Sequence, residues 1–118
     1  MAKVAVLVLS DTDTREGLGR VVNAMIATKE FQDAGDEVRL IFDGAGTKWV
    51  GELAKPDHRY HELFAAVHDQ IAGACGYCAH AYGAEQDAHR EQIIVLDEYE
   101  GHPSLRRLVV EGFQLLTF

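Results

Sequence analysis

VAVLVLSDTDTREGLGRVV, Val4 to Val22, changes its period halfway along. Val4 to Leu9 is an unbroken apolar run rich in β-branched residues, the pattern of a strand buried on both faces. Ser10-Asp11-Thr12-Asp13-Thr14 is polar and offers several side chains able to cap a helix. Beyond it Leu18, Val21, Val22, Met25 and Ile26 recur at helical spacing, so an amphipathic helix runs from Arg15 to about Ala34, and Gly35 ends it. A doubly buried strand feeding a helix is the first half of a βαβ unit, and it implies a parallel sheet.

The rest of the chain repeats that alternation. Val38 to Phe42 reads as a second strand, closed by Asp43-Gly44-Ala45-Gly46, and Thr47 to about Leu53 as a short helix with Trp49, Val50 and Leu53 inward. Past the loop at Pro56, Tyr60, Leu63, Phe64, Val67 and Ile71 mark another helix. Ile71 to about Cys75 is a short third strand. Tyr77 to Tyr82 and Glu85 to Gln92 are helical, and Ile93 to Leu96 is a fourth strand. Ser104 caps a helix to Glu111, and Phe113 to Phe118 is a last strand that puts the C-terminus in the sheet. Strands alternating with helices give one parallel sheet covered on both faces. There is no repeat, linker or low-complexity tract, and 118 residues suit a single domain.

Charge and composition narrow the functions. The net charge is -8, and an acidic surface repels phosphate backbones, which argues against a nucleic-acid partner. No stretch approaches the roughly 18 apolar residues of a membrane span. The apolar start lacks a small-residue cleavage site and runs straight into the acidic Ser10–Asp13 segment, so it is read as a strand and the protein as cytoplasmic. In that compartment, two cysteines at Cys-x-x-Cys spacing point to redox, catalytic or metal chemistry rather than a structural disulfide.

Cys75-Gly76-Tyr77-Cys78 falls where a strand hands over to a helix. Sites in open α/β sheets gather at the carboxyl ends of strands. Free N–H groups at the helix start favour a thiolate, so a lowered pKa is expected there. Two packed, inert thiols are the plain alternative. Zinc held by Cys75, Cys78 and His80 with one of His58, His61 or His68 is disfavoured, because no second Cys-x-x-Cys or paired-histidine pattern accompanies them. Neither a resident metal nor a cofactor is therefore expected. Ser10 and Thr12 after the first strand, Asp43, Gly44 and Gly46 after the second, and His102 before the last helix should border the same crevice and touch what binds there. The Ser10–Gly17 loop follows neither GxGxxG nor the Walker pattern, and Asp11 and Asp13 would repel phosphate. Trp49 suits core better than a pocket. His102 could give or take a proton near neutral pH, while Tyr60 and His61 are weaker candidates.

Four segments together, SDTDTREGLGRVVNA (10–24), IFDGAGTKW (41–49), ACGYCAHAYG (74–83) and EGHPSLRRLVVEGFQLLTF (100–118), resemble the DsrE/DsrF-like proteins of sulfur relay. The resemblance runs nearly the whole chain. It implies a three-layer α/β/α domain of flavodoxin/Rossmann-like type with a five-stranded parallel sheet, and a homo- or hetero-oligomer, trimeric or hexameric. It also implies that sulfane sulfur is carried as a cysteine persulfide between donor and acceptor proteins, as in tRNA thiolation or sulfur oxidation. In members that do this, the sulfur-carrying cysteine follows a central strand and precedes a glycine by eight positions. Cys75 and Gly83 stand in that relation, so the role falls on Cys75. Cys78 departs from the one-cysteine pattern, as a resolving or a merely packed thiol. Two rivals remain open: a non-enzymatic oligomeric module that binds a small ligand, and a thiol–disulfide oxidoreductase. The second lacks a proline opening a strand opposite the cysteines.

Overall fold

The computed structural model describes residues 1–118. Five strands form one sheet: β1 (Lys3–Val8), β2 (Glu37–Phe42), β3 (Ile71–Cys75), β4 (Val95–Leu96) and β5 (Gln114–Thr117). Their order is β4-β3-β2-β1-β5, and every pairing is parallel. Six helices connect and cover them: α1 (Arg15–Asp33), α2 (Trp49–Ala54), α3 (His61–Val67), α4 (Gly76–Ala81), α5 (Glu85–Arg90) and α6 (Leu105–Val110). The expected five-stranded parallel α/β architecture is the observed one.

The expected double burial of β1 also holds. Val4, Val6 and Val8 point to one face, where they meet Val21 and Met25 of α1, Trp49 and Leu53 of α2, Phe64 and Val67 of α3 and Ala88 of α5. Ala5 and Leu7 point to the other, against Ile41, Leu108 of α6 and Phe113. The faces are unequal: 17 buried residues make up the first cluster and 5 the second. Folding is therefore driven mainly from the α1–α3 side, where each fully buried side chain such as Phe42 or Leu53 contributes about 1.5–3 kcal/mol. Trp49 belongs to this core, 3% exposed, with its indole N–H donating to the Ser10 carbonyl at 2.9 Å.

Some boundaries differ from expectation. The Tyr60–Ile71 helix ends at Val67 and tightens into a 3-10 turn over His68–Gln70, and Ile71 is already strand. Gly44–Lys48 is likewise 3-10 before α2 starts. β4 keeps only two of its four expected residues, because Ile93 turns into the core and Ile94 offers the sheet one carbonyl, to Ala74 N–H. No helix is long and apolar enough to cross a membrane.

The strand order reverses beside β1. From β1 the chain steps outward through β2 and β3 to β4, then β5 returns to the far side of β1. Because every pairing is parallel, the loops following β1, β2, β3 and β4 all lie at one end of the sheet, the loop after β1 beside that after β2 at the point of reversal.

Candidate functional site

β3 runs into α4 with no intervening loop. Cys75 is both the last strand residue and the N-cap of α4, and its sulfur accepts a hydrogen bond from Cys78 N–H at 3.4 Å. This bond folds Cys-x-x-Cys so that both thiols face the same end of the sheet. Gly83, at φ 71°, ends α4: its N–H donates to the His80 carbonyl and Ala84 N–H to the Ala79 carbonyl, a paired closure that needs a left-handed residue.

His102 reaches this point from the β4–α6 loop. Tyr99 and His102 exchange both backbone hydrogen bonds at 2.8 Å, and the two residues between them, Glu100 and Gly101, have φ of 51° and 82°. Two consecutive positive φ values are the signature of a type I′ turn. The turn is fastened to α4 by Tyr77 N–H, which donates to the Gly101 carbonyl at 2.8 Å. The Tyr77 ring lies against the imidazole, 4.9 Å between centroids and tilted 30°. So held, His102 Nδ1 sits 3.2 Å from Cys75 Sγ. Asp43 arrives from the end of β2, its Oδ1 accepting from Gly44 N–H at 2.8 Å. One donor atom each from Asp43, Cys75, Cys78 and His102 lies within 4.8 Å of all the others.

The sulfur is inside and its partners lead outward. Cys75 is fully buried, while Asp43, Cys78 and His102 are half-buried. Asp43 and His102 also line a cleft of about 740 Å³ with Tyr99, Glu100, Ser104 and Arg106. Burial pushes the Cys75 thiol up to about 12, with Asp43 adding to the rise, while the Cys78 N–H acts against it. The lowered pKa predicted from the sequence is thus corrected. α4 has six residues and aims one N–H at the sulfur, too little to offset desolvation beside a carboxylate.

The other predicted residues divide. Asp43 and His102 join the cysteines. Gly44 takes the turn after β2 at φ 54°. Gly46 is close to backbone of its own chain rather than to a ligand: a Cβ there would stand 2.2 Å from the Val8 carbonyl oxygen. Ser10 and Thr12 follow β1 and are not among the four residues that converge. Ser10 Oγ faces the Gly17 carbonyl at 3.5 Å, and Thr12 borders a different cleft, of about 530 Å³, with Lys48 and Tyr82. Lys48 pairs with Asp11 at 2.6 Å, lowering the Asp11 pKa and raising its own, so this loop is tied to the turn after β2. The four histidines considered with zinc are committed elsewhere: His58 to Tyr60 N–H, His61 to the Leu53 carbonyl, His68 to the Glu91 carbonyl, and the exposed His80 to Glu85. Tyr77 and Gly101, which fix the imidazole, escape sequence reasoning; the Glu100-Gly101 pair was a turn signal, but nothing local links it to Cys75.

No family model matches the chain. It is 23% identical over 115 residues to an uncharacterized protein of Methanocaldococcus jannaschii, MJ0733, covering 97% of this chain and 93% of that one. Among solved structures it resembles a conserved protein of unknown function from Bacteroides thetaiotaomicron, BT1422. The TM-score is 0.64 at 19% identity, with 97% and 94% of the two chains covered, which establishes the shared fold.

Proposed function

We propose that the protein is a DsrE/DsrF-like sulfur carrier in which Cys75 takes up sulfane sulfur and hands it to an acceptor protein. The observation that carries this is the 3.2 Å approach of His102 Nδ1 to Cys75 Sγ at the end of β3. Burial keeps the resting thiol protonated and guards it from stray oxidation. His102, with Nδ1 3.2 Å from the sulfur, then acts as general base within the step.

The transfer balances without an external oxidant. Cys75 Sγ–H gives its proton to His102 Nδ1 as the sulfur attacks the outer sulfur of a donor persulfide. The donor's S–S bond breaks, a Cys75 persulfide forms, and the donor thiolate leaves and collects the proton from the imidazolium. Delivery is the reverse exchange with an acceptor thiolate. Alternatively, Cys78 attacks the inner sulfur of the Cys75 persulfide and expels hydrosulfide. That leaves a Cys75–Cys78 disulfide, which an external dithiol must reduce before another cycle.

The same reading makes the chain a cytoplasmic homo-oligomer, a trimer or hexamer. Leu105, Val109 and Val110 of α6, 43%, 58% and 67% exposed, supply apolar surface for it on the thinly covered side of the sheet. The test of carriage is intact-mass spectrometry after incubation with a sulfane-sulfur donor. Wild type should gain the mass of one sulfur atom and Cys75→Ser none; equal loading of both overturns the proposal.

A further inference from the structure

Asp43, Cys75, Cys78 and His102 come from the end of β2, the end of β3, the first turn of α4 and the β4–α6 turn, yet their donor atoms converge within 4.8 Å. The donor set is two sulfurs, one imidazole nitrogen and one carboxylate oxygen. A tetrahedral zinc ion, with Zn–S near 2.3 Å and Zn–N near 2.0 Å, requires its ligand atoms to lie about 3.3–3.8 Å apart. The Cys75–His102 edge, at 3.2 Å, is already that short, and every other edge is within 4.8 Å.

From this convergence we infer that the four side chains form a Zn²⁺ site. The chemistry selects the ion: sulfur and imidazole exclude Mg²⁺ and Ca²⁺, which want oxygen, and a tetrahedral sulfur–nitrogen set suits zinc. The surroundings are those of a metal centre. Cys78 N–H supports the Cys75 sulfur at 3.4 Å, Gly44 N–H supports Asp43 at 2.8 Å, and the Tyr77 ring fixes the plane of the imidazole. Without a cation, two thiols and a carboxylate share a confined space; a divalent ion offsets the charge they carry when bound. The inference goes beyond sulfur carriage and does not rest on it. Metal and sulfane sulfur compete for the same lone pair of Cys75, so an occupied site refuses sulfur.

The test is anaerobic titration of the reduced, chelator-treated full chain with Co²⁺, followed by displacement with Zn²⁺. One equivalent should produce thiolate-to-cobalt charge transfer in the near ultraviolet and the visible bands of tetrahedral Co²⁺, both erased by Zn²⁺. Cys75→Ser and Cys78→Ser should each abolish the charge-transfer intensity of their sulfur, and His102→Ala should weaken Co²⁺ binding about tenfold or more. Absence of thiolate charge transfer in the wild type overturns the site whatever the variants do, and so does a spectrum unchanged in His102→Ala and Cys75→Ser. The spectrum reads no sulfane sulfur and the mass assay reads no metal, so either proposal can fail alone.

Discussion

Cys75 Sγ and His102 Nδ1 stand 3.2 Å apart although 27 positions separate them in the chain. The contact depends on a type I′ turn at Glu100–Gly101 and on one hydrogen bond from Tyr77 to Gly101. The thiol is buried, and in the proposed transfer the imidazole is the exit for its proton.

Removing that exit should therefore slow the thiol without unfolding the domain. In His102→Ala, alkylation of Cys75 by iodoacetamide and its loading with sulfane sulfur should both fall about 100-fold, the low end of what a positioned general base supplies. Peptide-resolved alkylation rates check this, and rates matching wild type would remove His102 from the step.

The raised Cys75 pKa sets a pH dependence with a definite sign. In the unfolded chain the thiol titrates near its ordinary 9.0, and in the native state at about 12. Between those values the unfolded chain has lost the proton and the native one has kept it. The stabilisation is complete below pH 9 and is lost as pH rises toward 12. Urea denaturation of metal-free protein should show this loss, and Cys75→Ala should lack it relative to wild type.

Much of the fold is legible in the sequence because buried parallel strands announce themselves. Val4–Leu9 differs from β1 by one residue at each end, and the helix from Arg15 stops within one residue of its predicted end. β4 is shorter than its apolar run because Ile93 is apolar for the sake of the core, not for strand pairing. The candidate site was legible in its parts and not in its assembly. Asp43, Cys75 and His102 each stand at a strand end, but strand order decides which ends are neighbours. Order β4-β3-β2-β1-β5 makes the ends of β2, β3 and β4 successive neighbours, which brings those three together. The direction of the Cys75 pKa is hidden from the sequence, because helix-start geometry is visible there and burial depth is not.

Two glycines separate packing from chain stiffness. Gly46→Ala should destabilise the domain by about 1–3 kcal/mol, since its Cβ would press on the Val8 carbonyl, held in a strand paired on both sides. Gly19→Ala, within α1 and with nothing inside 4 Å, should stabilise by about 0.5–1 kcal/mol. Urea midpoints of the two variants should move in opposite directions from wild type.

The proposed oligomer predicts that a charge placed on α6 dissociates it. Val109→Asp should shift the mass measured by light scattering from a trimer or hexamer toward the monomer while leaving the circular dichroism unchanged. A wild type that is monomeric throughout the accessible concentration range would contradict the assembly.

Peptide mapping tests sulfur carriage most directly. Protein loaded with a sulfane-sulfur donor is alkylated without reductant and digested, and the peptide holding Cys75 and Cys78 is fragmented. The extra sulfur should be found on Cys75, and it should persist there in Cys78→Ser. Extra sulfur confined to Cys78, or on neither cysteine, would contradict the assignment of Cys75 as the carrier.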